Sequence, residues 1–112
     1  MGDTSMERRR FARVNVSIAI EIRDGRGFSI HSSRDISEGG VFFDRAIPHP
    51  VGEHVQLVFT LPGDDRMFSL EGEVVNVPDA HSYGMGIRFV SLKPSDRERL
   101  QRFTSEQETK TP

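Results

Sequence analysis

Two short stretches of this chain hold side chains suited to gripping an anionic, aromatic ligand. Glu7-Arg8-Arg9-Arg10-Phe11-Ala12-Arg13 puts four arginines within six residues. Asp35-Ile36-Ser37-Glu38-Gly39-Gly40 combines acids, a hydroxyl and two adjacent glycines. A guanidinium offers a planar fork that bonds phosphate, or the O6/N7 edge of guanine, through two N–H groups, and it stacks on rings. A carboxylate accepts from guanine's N1–H and N2–H pair, a complement that arginine cannot supply. Glycine lets backbone approach a ligand closely, and a turn of exposed N–H groups cradles an anion. Together the two stretches describe a pocket for a ligand carrying phosphates and guanine edges.

Each stretch alone has a simpler explanation. A run of like charges usually faces water, although a solvated tail gains nothing from Phe11. Asp35 and Ser37 are also the residue types that close Asx and ST turns on local backbone N–H groups. What favours a site is the placement of both stretches by the elements between them. Val14, Val16, Ile18, Ile20 and Ile22 alternate with Asn15, Ser17, Ala19 and Glu21, which predicts a strand. Arg23-Asp24-Gly25-Arg26-Gly27 carries the Asp-Gly hairpin signal, and Phe28, Ile30 and Ser32 resume the alternation. An antiparallel hairpin brings the start of its first strand beside the end of its second. The arginine segment and the Asp35 loop therefore meet.

Further along, Val41–Phe43 reads as a short strand, and Asp44–Gly52, with Pro48 and Pro50, as a connection. Val55, Leu57, Phe59 and Leu61 alternate up to a turn at Pro62-Gly63-Asp64-Asp65. Phe68, Leu70 and Val74 share one parity. Gly72 between them reads as a bulge or a bend, and the opposite parity of Val75 and Val77 as a phase slip. Tyr83, Met85, Ile87 and Phe89 form the last alternating run. Ser95-Asp96-Arg97-Glu98 fits a capping box with Ser95 as N-cap; Leu100 and Phe103 share one face of the helix that follows, which frays by about Glu108. Leu92 packs below that face. Six strands with short turns and one helix predict a mainly β protein: a six-stranded antiparallel β-barrel with a short C-terminal α-helix. The expected organisation is a flexible tail over 1–6, one domain over 7–105 and a flexible tail over 106–112.

Arg9-x-x-x-Arg13, preceded by Arg8, and Asp35-x-Ser37-x-x-Gly40 resemble the two sequence elements of the PilZ domain family, bacterial receptors for cyclic di-GMP. Gly84-Met85-Gly86-Ile87-Arg88-Phe89 is similar to the family's last barrel strand. The resemblance spans roughly residues 7 to 103 and implies the same six-stranded barrel. It implies a ligand site of Arg8, Arg9, Arg13, Asp35, Ser37, Gly39 and Gly40. Arg9 and Arg13 would take phosphate and the guanine O6/N7 edge, Asp35 the Watson–Crick edge, and Ser37 a phosphate or guanine, with Gly40 permitting close approach. An arginine in the place of Arg8 goes with a stacked pair of ligands. The implied function is a second-messenger receptor that signals when its N-terminal arginine segment becomes ordered, acting through an unidentified downstream protein. The alternative within the family is an interaction module that binds no cyclic di-GMP; the two intact elements weigh against it.

Composition removes other classes. The 112 residues carry 15 Lys+Arg against 17 Asp+Glu, a net charge of -2, whereas a general nucleic-acid binder is usually strongly basic. Positive charge gathers at the first stretch: residues 1–13 hold four Arg against Asp3 and Glu7, and the other 99 hold 11 cations against 15 acids. With no cysteine there is neither a disulfide nor a thiolate metal site. His31, His49, His54 and His81 show no metal-ligand spacing, Ser37 is in no nucleophile elbow, and Glu71 with Glu73 reads as an exposed strand face. No catalytic residue, metal or cofactor is expected. No apolar run approaches the roughly 20 residues of a membrane helix or the roughly 7–15 of a signal-peptide core, so a cytoplasmic protein without membrane insertion is expected.

Overall fold

The computed structural model describes residues 13–46, 49–76 and 84–110. Among these residues eight strands, β1 Val14–Asn15, β2 Ala19–Asp24, β3 Gly27–Ser32, β4 Asp35–Ile36, β5 Gly40–Phe43, β6 His54–Leu61, β7 Asp64–Asn76 and β8 Met85–Val90, precede the helix α1 Pro94–Lys110. They form one antiparallel sheet in the order β1-β4-β5-β8-β7-β6-β2-β3. The sheet curls into a half-barrel. The expected six-stranded closed barrel is thus corrected on both counts: there are eight strands among the described residues, and the barrel is open.

The extra strands come from a corner in the first hairpin. Between the β1–β4 pairing (Asn15↔Asp35) and the β2–β3 pairing (Ala19↔Ser32), Val16–Ile18 face only Ser33–Arg34. Three residues opposite two is a bulge, and a bulge bends the strand that carries it. The Ser33 hydroxyl fills the gap in the ladder: Oγ accepts from the Ile18 N–H at 3.0 Å and donates to the Val16 carbonyl at 2.6 Å. Backbone bonds from Ser33 N to Ile18 O and from Val16 N to Arg34 O close it on either side. The single strand predicted from Val14 to Ile22 thereby becomes β1 and β2, and β4 forms in the Asp35–Gly40 stretch that was expected to be a loop.

The predicted alternation of β2 and β6 holds. Ile20, Ile22, Leu57, Phe43, Phe68, Val74, Met85 and Ile87 are almost fully enclosed, and the Phe59 ring stacks on Phe68 with centroids 4.9 Å apart. On β3 the alternation does not mean burial. It is an edge strand, and Phe28 and Ile30 are about two-thirds exposed. The phase slip occurs between Val74 and Asn76 against β8. Gly72 is not at the slip; a Cβ there would press on the Ile87 Cγ2 at 2.5 Å and the Leu57 Cδ1 at 3.2 Å. Glu71 and Glu73 lie on the outer face of a central strand, bonded to His54 and Arg88 across the ladders.

The helix starts before the expected cap. Pro94 is its first residue, and the Lys93 carbonyl accepts the first helical N–H, from Arg97, at 2.9 Å. Proline suits that position because its missing N–H would have had no partner there. Leu100 and Phe103 are buried as predicted, with Leu92 packed against the core. Arg99 is buried beside them. It donates to Asp64 at 2.8 Å, Asp96 at 3.2 Å and the Arg66 carbonyl at 2.6 Å, and lies 3.8 Å over the Phe68 ring. The hydrogen bond from Arg99 holds the Asp64 carboxyl below its usual pKa. Arg99→Met is expected to destabilise the domain by about 2 kcal/mol in urea denaturation. A lowered folded pKa contributes stability above the unfolded carboxylate value that is lost as pH falls through the folded value. The acid side of the stability curve should therefore be flatter in the variant. No helix among the described residues is long and apolar enough to cross a membrane.

Candidate functional site

The β1–β4 pairing sets Val14 opposite Ile36 and Asn15 opposite Asp35, so Arg13 leaves β1 beside the loop that follows β4. The predicted meeting of the two stretches holds for every site residue that is described. Arg13, Asp35, Ser37, Gly39 and Gly40 line one cleft of about 960 Å³. Arg8 and Arg9 lie outside the described residues.

Asp35 lines this cleft from a buried position. Its side chain is 6% exposed, and each carboxylate oxygen accepts from a different guanidinium: Oδ1 from Arg13 Nε at 2.8 Å and Oδ2 from Arg34 Nε at 3.0 Å. Both arginine side chains remain about half exposed. Both line the cleft, and each guanidinium has N–H groups beyond the one that Asp35 accepts. Burying a carboxylate costs free energy unless it is paired and hydrogen-bonded. Asp35 has two partners, which explains how it sits so deep.

Ser37 serves the loop as well as the cleft. Its Oγ accepts from the Gly39 N–H at 3.1 Å, the ST-turn geometry, and lies 3.5 Å from Arg13 Nη1. The Ser37 N–H donates to the Gly40 carbonyl at 2.9 Å, and the Phe89 N–H on β8 donates to the Gly39 carbonyl at 2.9 Å. The loop is therefore pinned to its own hairpin and to the neighbouring strand. At Gly40 β5 runs tight against β8: a Cβ there would collide with the Ile87 backbone carbonyl. That packing demand stands beside the close approach to a ligand expected from the sequence.

Several lining residues were not among those expected. Arg34 packs its guanidinium 4.5 Å over the Phe42 ring, making a flat cationic platform on one wall. Glu38 sits in the loop, and Arg88 and Arg97 come from β8 and α1. Adjacency to Asp35 was a usable signal for Arg34. Nothing in strand parity marks Phe42 as a wall residue, and only the docking of α1 brings Arg97 near.

Away from the cleft, Asp24, His49 and Glu53 have potential ligand atoms within 4.8 Å of one another. Spacing alone did not single out this group. Arg26 already bridges its two carboxylates, at 3.2 and 3.4 Å. The Arg26 backbone N–H is the main reason the Asp24 carboxyl sits below its usual pKa.

A PilZ domain signature matches residues 7–106, and the chain belongs to the PilZ domain family. A search of curated protein sequences returns no match. Among solved structures, the Bacillus subtilis inhibitor of motility MotI/DgrA superimposes with a TM-score of 0.77 at 19% identity, covering 91% of this chain and 52% of that one. The chain thus spans about half the length of that relative. The PilZ domain of YcgR from Escherichia coli, solved with c-di-GMP, gives 0.69 at 19% identity, covering 92% and 93%. The K. pneumonia MrkH–c-di-GMP complex gives 0.70 at 15% identity, covering 90% and 52%.

Proposed function

We propose that this domain is a cyclic di-GMP receptor with no catalytic role, and that ligand binding orders the arginine segment ahead of β1. The observation that carries this reading is the buried Asp35 held between Arg13 and Arg34 in the lining of a cleft that also contains Ser37. One ligand of two guanines and two phosphates uses every part of that arrangement. Guanidinium forks meet phosphate and guanine O6/N7, while carboxylate meets the guanine N1–H/N2–H edge. YcgR and MrkH, two relatives in the fold, are solved with this ligand.

Arg8, Arg9 and Arg13 would supply the cations. Four arginines in six residues repel one another when free, and a bound dianion neutralises part of that charge and bridges the segment to the Asp35 loop. Ordering of this kind biases the binding of a partner protein. With Arg8 in place, the expected stoichiometry is a stacked pair of ligands per chain. Calorimetric titration with cyclic di-GMP, with GTP as control and at two salt concentrations, tests the receptor reading. No heat at high micromolar cyclic di-GMP would overturn it. Hydrogen exchange on the same samples should show amides 7–13 slowing at saturation while strand cores stay unchanged. Equal exchange with and without ligand would remove the switch and leave the receptor.

A further inference from the structure

We infer that Glu38 is a second guanine-reading carboxylate of this cleft, and that it contributes to discriminating guanine from other purines. The inference rests on the receptor reading above and goes beyond it, because Glu38 stands at a variable position of the Asp35-x-Ser37-x-x-Gly40 element.

Three observations carry it. Glu38 is 8% exposed, yet its Oε1 is buried with no hydrogen-bond partner among the described residues. Glu38 also lines the same cleft as Arg13, Asp35 and Ser37. Finally, both oxygens of Asp35 are already engaged by guanidinium N–H groups, so in the ligand-free state Asp35 has no idle oxygen. A buried acceptor without a donor costs stability and is rare in a folded protein. Such an acceptor in the wall of a binding cleft fits a ligand that brings the donor with it. The N1–H and N2–H edge of guanine is a pair of donors matched to one carboxylate. Of the purines, adenine presents an acceptor at N1, and hypoxanthine keeps N1–H but lacks the N2 amine. A site that hydrogen-bonds a donor rejects an analogue lacking it, because its own acceptor is then left unpaired.

The test compares cyclic di-GMP with its hypoxanthine analogue, cyclic di-IMP, in titrations of the wild-type chain, Glu38→Ala and Glu38→Gln. The wild type should prefer the guanine ligand by about tenfold, the scale of one charge-assisted hydrogen bond. Glu38→Ala should bind cyclic di-GMP about tenfold more weakly and lose most of the preference. Glu38→Gln keeps the shape and one carbonyl acceptor and should fall between; it decides the matter if the alanine variant fails to fold. An equal loss for both ligands would mean that Glu38 shapes the loop or meets an arginine of the chain, and would overturn the assignment. An unchanged preference would overturn it too. If the wild type binds neither ligand, the receptor reading fails first and Glu38 falls with it. If the wild type binds both and only the Glu38 effect is absent, the receptor reading stands alone.

Discussion

Asp35→Ala is expected to weaken cyclic di-GMP binding by about 2 kcal/mol, roughly thirtyfold, the scale of one good bidentate base contact. The sign is what makes the experiment informative. Removing a negative charge beside a dianionic ligand should tighten binding if long-range attraction governed the site. Two further effects act in the opposite direction. Asp35 is the carboxylate between Arg13 and Arg34, spacing their guanidinium groups by its own two oxygens. On the receptor reading proposed above, it would also be the acceptor for a guanine edge that no arginine can replace. Calorimetry on the variant, with a melting curve to confirm the fold, checks this. Both arginine side chains are about half exposed, so water takes over their hydration and the domain should lose little stability. Tighter binding by the variant would make Asp35 a neutraliser of arginines and nothing more.

Gly40→Ala is expected to damage fold and site together, by about 3 kcal/mol in urea denaturation. The added methyl would meet the Ile87 carbonyl, which is backbone within the β5–β8 ladder and cannot rotate aside as a side chain would. Relief requires the two strands to part. That strains the bond from Ser37 N to Gly40 O and the bond from Phe89 N to Gly39 O, the two that fix the loop. Ligand affinity should fall with stability. Gly25→Ala is the control: its Cβ would meet nothing within 4 Å, and its stability should change by less than about 0.5 kcal/mol. Equal behaviour of the two variants would show that the β5–β8 contact is not close in solution.

The meeting of Arg13 with Asp35 was legible because it depends on topology alone. Alternation marked two strands, Asp24-Gly25 marked a turn, and hairpin geometry did the rest. The corner was not legible. The apolar parity of Val14, Val16, Ile18, Ile20 and Ile22 runs straight through the bulge, since only Ser33 on the facing strand reveals that a ladder bond has been replaced by a hydroxyl. In β4 the two-residue period gives no guide either: Asp35 and Ile36 are consecutive and both buried, one under guanidinium groups and the other in the core. Edge position explains why Phe28 and Ile30 repeat a buried pattern and remain exposed. Nothing in the sequence marked Arg99, because its partners Asp64 and Arg66 are more than 30 residues away and meet it only when α1 docks.

The corner at Ser33 also lets one hairpin serve both halves of the sheet. On one side of it lie β1, β4, β5 and β8, and on the other β7, β6, β2 and β3. The first hairpin is the single piece of chain present at both ends of this curled sheet, folded over at Val16–Ile18 and Ser33–Arg34. Arg13, Asp35, Ser37 and Gly40 all belong to the first half, as does the Ile87 carbonyl that Gly40 abuts. These cleft-lining groups are bonded to one another within that half. Their spacing is set by bonds within β1, β4, β5 and β8, so substitutions on β2, β3 and β6 are expected to alter stability before they alter the cleft.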